Sequence, residues 1–379
     1  MPDNTADRQP MQAAAVGVRL GGQTQTLTNE PNQPDRSVSD QHQQPPDQRL
    51  KASLQELDQL IGLSQVKERI RSLANYLKLQ NQRAAAGLPT MPISLHMAFV
   101  GNPGTGKTSV ARIVGQILGA MGVVRQGHVV ETDRSGLVAE FAGQTAVKTN
   151  KLIDSALDGV LFIDEAYSLV DESGDDAFGR EAIQTLLKRM EDDRSRLVVI
   201  LAGYPNEMES MIRSNPGLGS RIGTTLQFED YDPVALGKIF EVLCDANHYH
   251  LPAASRHRLL LAFTELYEHR DRHFGNGRLV RNCFEESVRQ LANRVAEIVP
   301  LTEELLTRLE PEDVNVPGVG NDAIDRLVAQ NDLLRVTCAT CGKRLKVQPR
   351  LLGRKVRCRD CENIFNADWA EVERGDETL

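Results

Sequence analysis

Aromatic residues are scarce in this chain, at 4% of 379 residues with a single Trp, so its cores must be built mainly from aliphatic side chains. No stretch approaches the ~20 apolar residues needed to cross a bilayer, and no membrane partner is expected. The N-terminus lacks a basic region followed by a long apolar run, and Ala13–Val18 is too short to be a secretory signal. Positive charge is not in excess either. The net charge of −8 gives the chain as a whole no bias toward nucleic acid or anionic membranes. Cysteines are few, and four of the six fall in two Cys-x-x-Cys pairs. Without an export signal such pairs point to a metal rather than to disulfides, and a cytoplasmic location is expected. Residues 1–50 contain no Phe, Trp or Tyr and are rich in Gln, Asp, Pro, Asn and Thr. They have little to bury against the entropy cost of ordering, so a disordered tail is expected.

What is present begins near Leu50. Helical apolar spacing runs from Leu54 to Leu79, broken at Ile61-Gly62-Leu63. Ile93–Val100 reads as a buried strand, Gly101–Thr108 as a glycine-rich turn and Ser109–Leu118 as a helix. Strands near His128–Glu131, Val160–Ile163 and Leu197–Ala202 alternate with helices near Thr145–Leu157 and Arg180–Glu191. Continuous apolar strands alternating with helices predict an α/β fold, a parallel sheet covered on both faces. After Pro233 the strands stop, and Ala235–Cys244, Ala254–His269 and Asn276–Val299 read as helices. Pro311–Asn321 is rich in Pro, Gly and Asn and reads as a linker, and Asp322–Leu334 reads as a last helix.

Gly101-Asn102-Pro103-Gly104-Thr105-Gly106-Lys107-Thr108 fits G-x-x-x-x-G-K-[ST], with an apolar strand before it and a helix after it. This places a P-loop NTPase sheet at 51–234. The glycines let backbone N–H groups turn inward around phosphate oxygens, and the following helix adds its positive end. Lys107 is placed for the β- and γ-phosphates of ATP, and the Thr108 hydroxyl for Mg²⁺. Leu161-Phe162-Ile163-Asp164-Glu165 is an apolar strand ending in two carboxylates at the same sheet edge. Asp164 would hold Mg²⁺ and Glu165 would polarise the attacking water.

These motifs together resemble the AAA+ superfamily and, more narrowly, the CbbX-like family, which includes red-type Rubisco activases and the stage V sporulation protein K type. The resemblance covers roughly residues 52–300. It is carried also by Leu60–Leu63 with Val66-Lys67, by Leu201–Tyr204, by Asn215–Leu218, and by Gly275–Arg278 with Val280-Arg281-Asn282. It implies a homo-hexamer with ATP between neighbouring subunits, and a small helical AAA+ lid over 235–310. Ile61 and Gly62 would line the adenine pocket. Arg221 matches the arginine finger, with Arg213 as its competitor. Arg278 matches the sensor-2 arginine, with Arg281 as competitor. Phe141 matches the aromatic pore-loop residue, unless it is a core side chain. Ala202-Gly203-Tyr204 stands where many AAA+ proteins carry the sensor-1 Asn, and no residue is assigned to that role.

Cys338-x₂-Cys341 and Cys358-x₂-Cys361 are separated by 16 residues, the spacing of a Zn²⁺ ribbon over 334–370. A site closed by four thiolates is structural. The stretch 311–333 would tether this ribbon as a separate module, and 371–379 reads as a tail. Lys343, Arg344, Lys346, Arg350, Arg354, Lys355, Arg357 and Arg359 surround the cysteines, a local basic surface in an acidic chain. The leading reading is a hydrolysing ATPase that remodels a protein client of unknown identity through pore loops. Rubisco activation specifically, a nucleic-acid-directed ATPase recruited by the basic ribbon, and an ATP-binding scaffold without turnover are the alternatives.

Overall fold

The structure is a computed structural model that describes residues 45–91, 93–170, 176–330 and 333–373. Most of the expected N-terminal tail, and residues 374–379 of the expected C-terminal one, lie outside the described residues. Two helices open the described residues, α1 (Pro46–Gln59) and α2 (Ser64–Ala85). The first helix therefore starts a few residues before the boundary expected at residue 51. Five strands follow: β1 (His96–Gly101), β2 (Val129–Thr132), β3 (Gly159–Ile163), β4 (Leu197–Gly203) and β5 (Ile222–Phe228). They form one parallel sheet in the order β2-β3-β4-β1-β5. Between them run α3 (Lys107–Ala120), α4 (Thr145–Ala156), α5 (Ala177–Asp192), α6 (Pro205–Ser214) and α7 (Pro216–Arg221).

Alternation along each strand decides which face a side chain joins. Met97, Phe99, Phe162, Ile200 and Phe228 pack with α1, α2 and α3 on one face. Ala98, Val100, Leu161, Ile163, Val199 and Leu201 pack with α4, α5 and α6 on the other. β5 escaped the sequence reading because it is an edge strand. Its Gly223-Thr224-Thr225 segment is exposed, and only Leu226 and Phe228 carry the apolar alternation. His96 is buried at the start of β1. Its Nδ1 accepts the Val199 N–H at 3.0 Å, and its Nε2 lies 3.0 Å from the Met190 carbonyl. The ring thus ties β1 to β4 and to the end of α5, and burial holds its pKa below the usual value.

The lid contains α8 (Pro233–Ala246), α9 (Ala253–Glu268) and α10 (Asn276–Val295), followed by α11 (Asn321–Ala329). Asp232 caps α8 by accepting the Ala235 N–H at 2.7 Å. Two expectations change here. The stretch read as a linker is packed: Val314 and Val316 are fully buried, and Asp313, 1% exposed, is paired with Arg294 at 2.8 Å. Valines spaced two apart among Pro and Gly give an irregular segment that still has apolar side chains to bury. The last helix stops at Ala329. From Leu333 the sequence Leu-Leu-Arg-Val-Thr alternates and forms β6 (Leu333–Thr337).

β6 pairs antiparallel with β7 (Arg344–Val347) and β10 (Glu371–Glu373), while β8 (Lys355–Arg357) pairs with β9 (Ile364–Asn366). Glu371–Glu373 is thus part of the ribbon rather than the start of a tail. The ribbon is not a tethered module either. Leu334, Val336, Leu352, Ala367 and Trp369 belong to one continuous core with Leu236, Phe240, Leu259 and Phe263 of the lid. A unit of this size has too little apolar surface to close a core alone, and it completes one against the lid.

Candidate functional site

The phosphate loop leaves β1 at Gly101 and enters α3 at Lys107. Gly104 and Gly106 hold φ values of 72° and 92°, the left-handed region that glycine adopts without strain. No side chain caps α3, so its first N–H groups are left for an anion. Above the loop lies a cavity of about 530 Å³. Gly101, Pro103, Gly104, Gly106, Lys107 and Thr108 line its floor, and Asp164 and Glu165 close one side. Leu60, Ile61 and Leu63 from the α1–α2 turn face Ile239, Val242 and Leu243 of α8 across an apolar section. Arg278 and Arg281 of α10 enter from the lid.

The Lys107 ammonium donates to the carbonyls of Gly101 and Asn102, each at 2.9 Å. Burial pushes its pKa down to about 8, and Asp164 is the leading charge pulling it back up. Asp164 follows β3; its N–H donates to the Thr132 carbonyl at 2.8 Å, and its Oδ1 accepts the Glu165 N–H at 3.0 Å. Glu165 sits at φ 48°, an uncommon conformation for a non-glycine residue. That turn leaves its side chain on the cavity wall.

Three residues expected at the nucleotide stand behind this wall. Thr105 is fully buried and donates its hydroxyl to the Asn102 carbonyl at 2.8 Å. Asn102 donates to both oxygens of Asp230, at 2.9 and 3.1 Å. Gly62, at φ 64°, lets the turn pass close to the Tyr231 ring. Arg221 lies off its own chain's cavity, at the end of α7. It donates to the Gly217 carbonyl at 3.2 Å and stands 3.5 Å from Glu191, and its buried Nε has no partner among the described residues. Arg213 is 80% exposed and paired with Glu209. Phe141 is 66% exposed, in a turn before α4, and so is not a core residue.

The sequence reading missed several lining residues. Arg112, Glu131 and Tyr204 stand at the carboxyl edge of the sheet, and Tyr231 and the apolar face of α8 come from the lid side. Arg281, held there only as an alternative to Arg278, lines the cavity with it. Its buried Nε has no hydrogen-bond partner among the described residues.

At the far end of the chain, Cys338, Cys341, Cys358 and Cys361 bring their sulfurs within 4.8 Å of one another. The Cys338–Cys361 and Cys341–Cys358 pairs are each 3.6 Å apart. Four thiolates at tetrahedral corners around an ion at about 2.3 Å would be about 3.8 Å apart, so the set fits one metal ion. Several of the surrounding basic residues are neutralised locally. Lys343 pairs with Asp360 at 3.1 Å, and Arg344 with Glu371 and Glu373 at 2.7 and 3.0 Å.

Residues 97–230 match the family described as "ATPase family associated with various cellular activities (AAA)", and residues 232–322 match its lid domain. Over 281 residues the chain is 39% identical to stage V sporulation protein K of Bacillus subtilis, covering 74% of this chain and 87% of that one. It is 41% identical over 279 residues to protein CbbX of Cereibacter sphaeroides, covering 73% and 89%. It is 44% identical over 263 residues to the ESX-1 secretion system protein EccA1 of Mycobacterium tuberculosis, covering 67% of this chain and 46% of that longer protein.

Proposed function

The chain belongs to the AAA family of ATPases, in the group that holds stage V sporulation protein K and CbbX, and from that premise we propose that it hydrolyses ATP at the interfaces of a homo-hexameric ring and uses the cycle to remodel a protein client. The observation that carries this reading is the convergence on one cavity of Lys107, Asp164, Glu165, Arg278 and Arg281, from the phosphate loop, the end of β3 and the lid.

In this reading the loop N–H groups and Lys107 hold the phosphates. Thr108 and Asp164 would hold Mg²⁺, which when bound offsets phosphate charge. Ile61, Leu63, Val242 and Leu243 offer an apolar slot for the base. Glu165 orients and polarises the water, while Arg278 and Arg281 face the charge that builds on the transferred group. Arg221 lies outside its own cavity, as a group that serves a neighbouring subunit would. Phe141 is exposed in a glycine-flanked turn and would grip the client. The four cysteines would hold Zn²⁺ as a structural clamp.

Nucleotide binding and turnover should separate in two variants. Lys107→Ala should lose nucleotide affinity, because Lys107 acts on the ground-state phosphates. Glu165→Gln should bind ATP but turn it over at least about 10²-fold more slowly. Full turnover by Glu165→Gln would remove that residue from the mechanism. Clients retained on the same ATP-bound variant, identified after capture, would name what is remodelled.

A further inference from the structure

The junction between sheet and lid holds a polar cluster that the reading above leaves unused. Residues 229–232 join β5 to α8. Within them Asp230, whose side chain is 15% exposed, accepts from Asn102 of the phosphate loop and, at 2.7 Å, from Asn276 Nδ2. Arg270 Nε, in the turn before α10, stands 3.4 Å from the same carboxylate. Asn276 opens α10 and is fully buried. It sits at φ 46°, which Asn tolerates better than most residues. Its Oδ1 accepts the Tyr231 N–H at 2.8 Å, and its Nδ2 also donates to the Phe274 carbonyl at 2.9 Å and the Pro103 carbonyl at 3.3 Å. Beside it the Gly277 N–H donates to the Gly104 carbonyl at 3.0 Å.

We propose that Asn276 is a positioning residue that, through Asp230, locks the lid to the phosphate loop and so sets where Arg278 stands against the transferred phosphate. The proposal rests on the ATPase reading given above. A carboxamide offers an acceptor on one side and two donors on the other, which is what Tyr231, Asp230 and Pro103 require of this position. A carboxylate there would face Asp230 with no donor. An apolar side chain would leave the Tyr231 N–H unpaired inside the protein. Arg278 follows two residues later on the first turn of α10, so any shift of that turn carries the arginine with it. The loop, the hinge and the sensor helix thus meet at one amide, and a change of contents in the loop has a direct route to the lid.

The test uses the full-length chain, with ring assembly and melting temperature checked for every variant. Asn276→Asp should lower kcat by about tenfold or more, because a charge-assisted hydrogen bond becomes a repulsion, and should change the affinity for ADP much less. The swap Asp230→Asn with Asn276→Asp should recover part of the loss, since the carbonyls of Pro103 and Phe274 still lack the donor that Asn276 gave them. The new amide at 230 can donate to the new carboxylate at 276 and still accept from Asn102. A uniformly weakened fold would not be rescued this way. Asn102→Ala breaks the loop end of the same chain of bonds, so its effect should not add to that of Asn276→Ala. Full kcat in Asn276→Asp, a swap no better than the single variant, or strict additivity would overturn the proposal. If the position-276 variants do not fold, Asn102→Ala must still lower kcat at an unchanged melting temperature, and unchanged kcat overturns it equally. Absence of turnover in the unaltered chain is a different result: it removes the ATPase reading, and the lid proposal falls with it.

Discussion

Trp369 of the ribbon donates its indole N–H to Glu241 of α8 at 2.8 Å, and its ring lies against Gly237 on the same helix. Arg256 of α9 completes the contact. It pairs with the other Glu241 oxygen at 2.5 Å and stands over the Trp369 ring at 5.3 Å. Gly237 has no Cβ, and any Cβ there would collide with the indole. The opposite side of α8 carries Ile239, Val242 and Leu243, which line the cavity above the phosphate loop. The ribbon therefore backs the helix that forms the cavity wall.

That contact makes the ribbon part of the lid's stability. Trp369→Ala should destabilise the protein by about 3–5 kcal/mol, the usual cost of deleting a buried aromatic. Gly237→Ala should cost about 1–3 kcal/mol by overpacking. Chelation or Cys358→Ser should unfold the ribbon and lower the melting temperature of the lid along with it. Calorimetry and amide exchange on α8 and α9 measure this directly. Unchanged protection of those helices after metal removal would mean the ribbon is an appendage after all.

Lys107 supplies a pH signature. Its ammonium titrates near 8 because it is buried. On the acid side of 8 it is already charged and ready for phosphate; on the alkaline side nucleotide binding must also take up a proton. Affinity for ATP should be flat below pH 8 and weaken by up to about tenfold per unit above it. Titration calorimetry in two buffers of different ionisation heat reads that proton. No proton uptake between about pH 8 and pH 9 would refute the assignment.

Arg221 is held by its own chain at Gly217 and Glu191 and does not reach its own cavity. Arg221→Ala should lose turnover by about 10³-fold or more, the range of measured arginine fingers, while its ATP affinity stays near normal. Mixed with Lys107→Ala subunits, it should regain activity, because some interfaces then pair an intact finger with an intact loop. No recovery at any ratio, in rings shown to be mixed, would place the finger elsewhere.

Phe141 projects into solvent in a turn closed by Gly143 at φ 78°. Phe141→Ala should leave folding and basal ATP hydrolysis within about twofold, since exposed substitutions cost little, and should abolish remodelling of the captured client. Normal remodelling by that variant would remove Phe141 from client grip.

What the sequence determined by itself was what short stretches encode. The strand–loop–helix around Gly101–Thr108, the apolar strand ending in Asp164-Glu165 and the paired cysteines each have their geometry set by neighbours in the chain, so spacing alone exposes them. Much of the parallel sheet was legible for the same reason, because its buried strands are continuous apolar runs. β5 was not, since an exposed edge strand needs no such run. Tertiary structure alone decided the rest. It brought Arg281 to the cavity wall beside Arg278, and it left Arg221 outside that wall. It joined Asn102, Asp230 and Asn276 across more than a hundred residues of chain, and seated Trp369 on α8. These are contacts between polar or isolated side chains distant in sequence. Their energy depends on what the folded chain brings opposite them, and no local pattern records that.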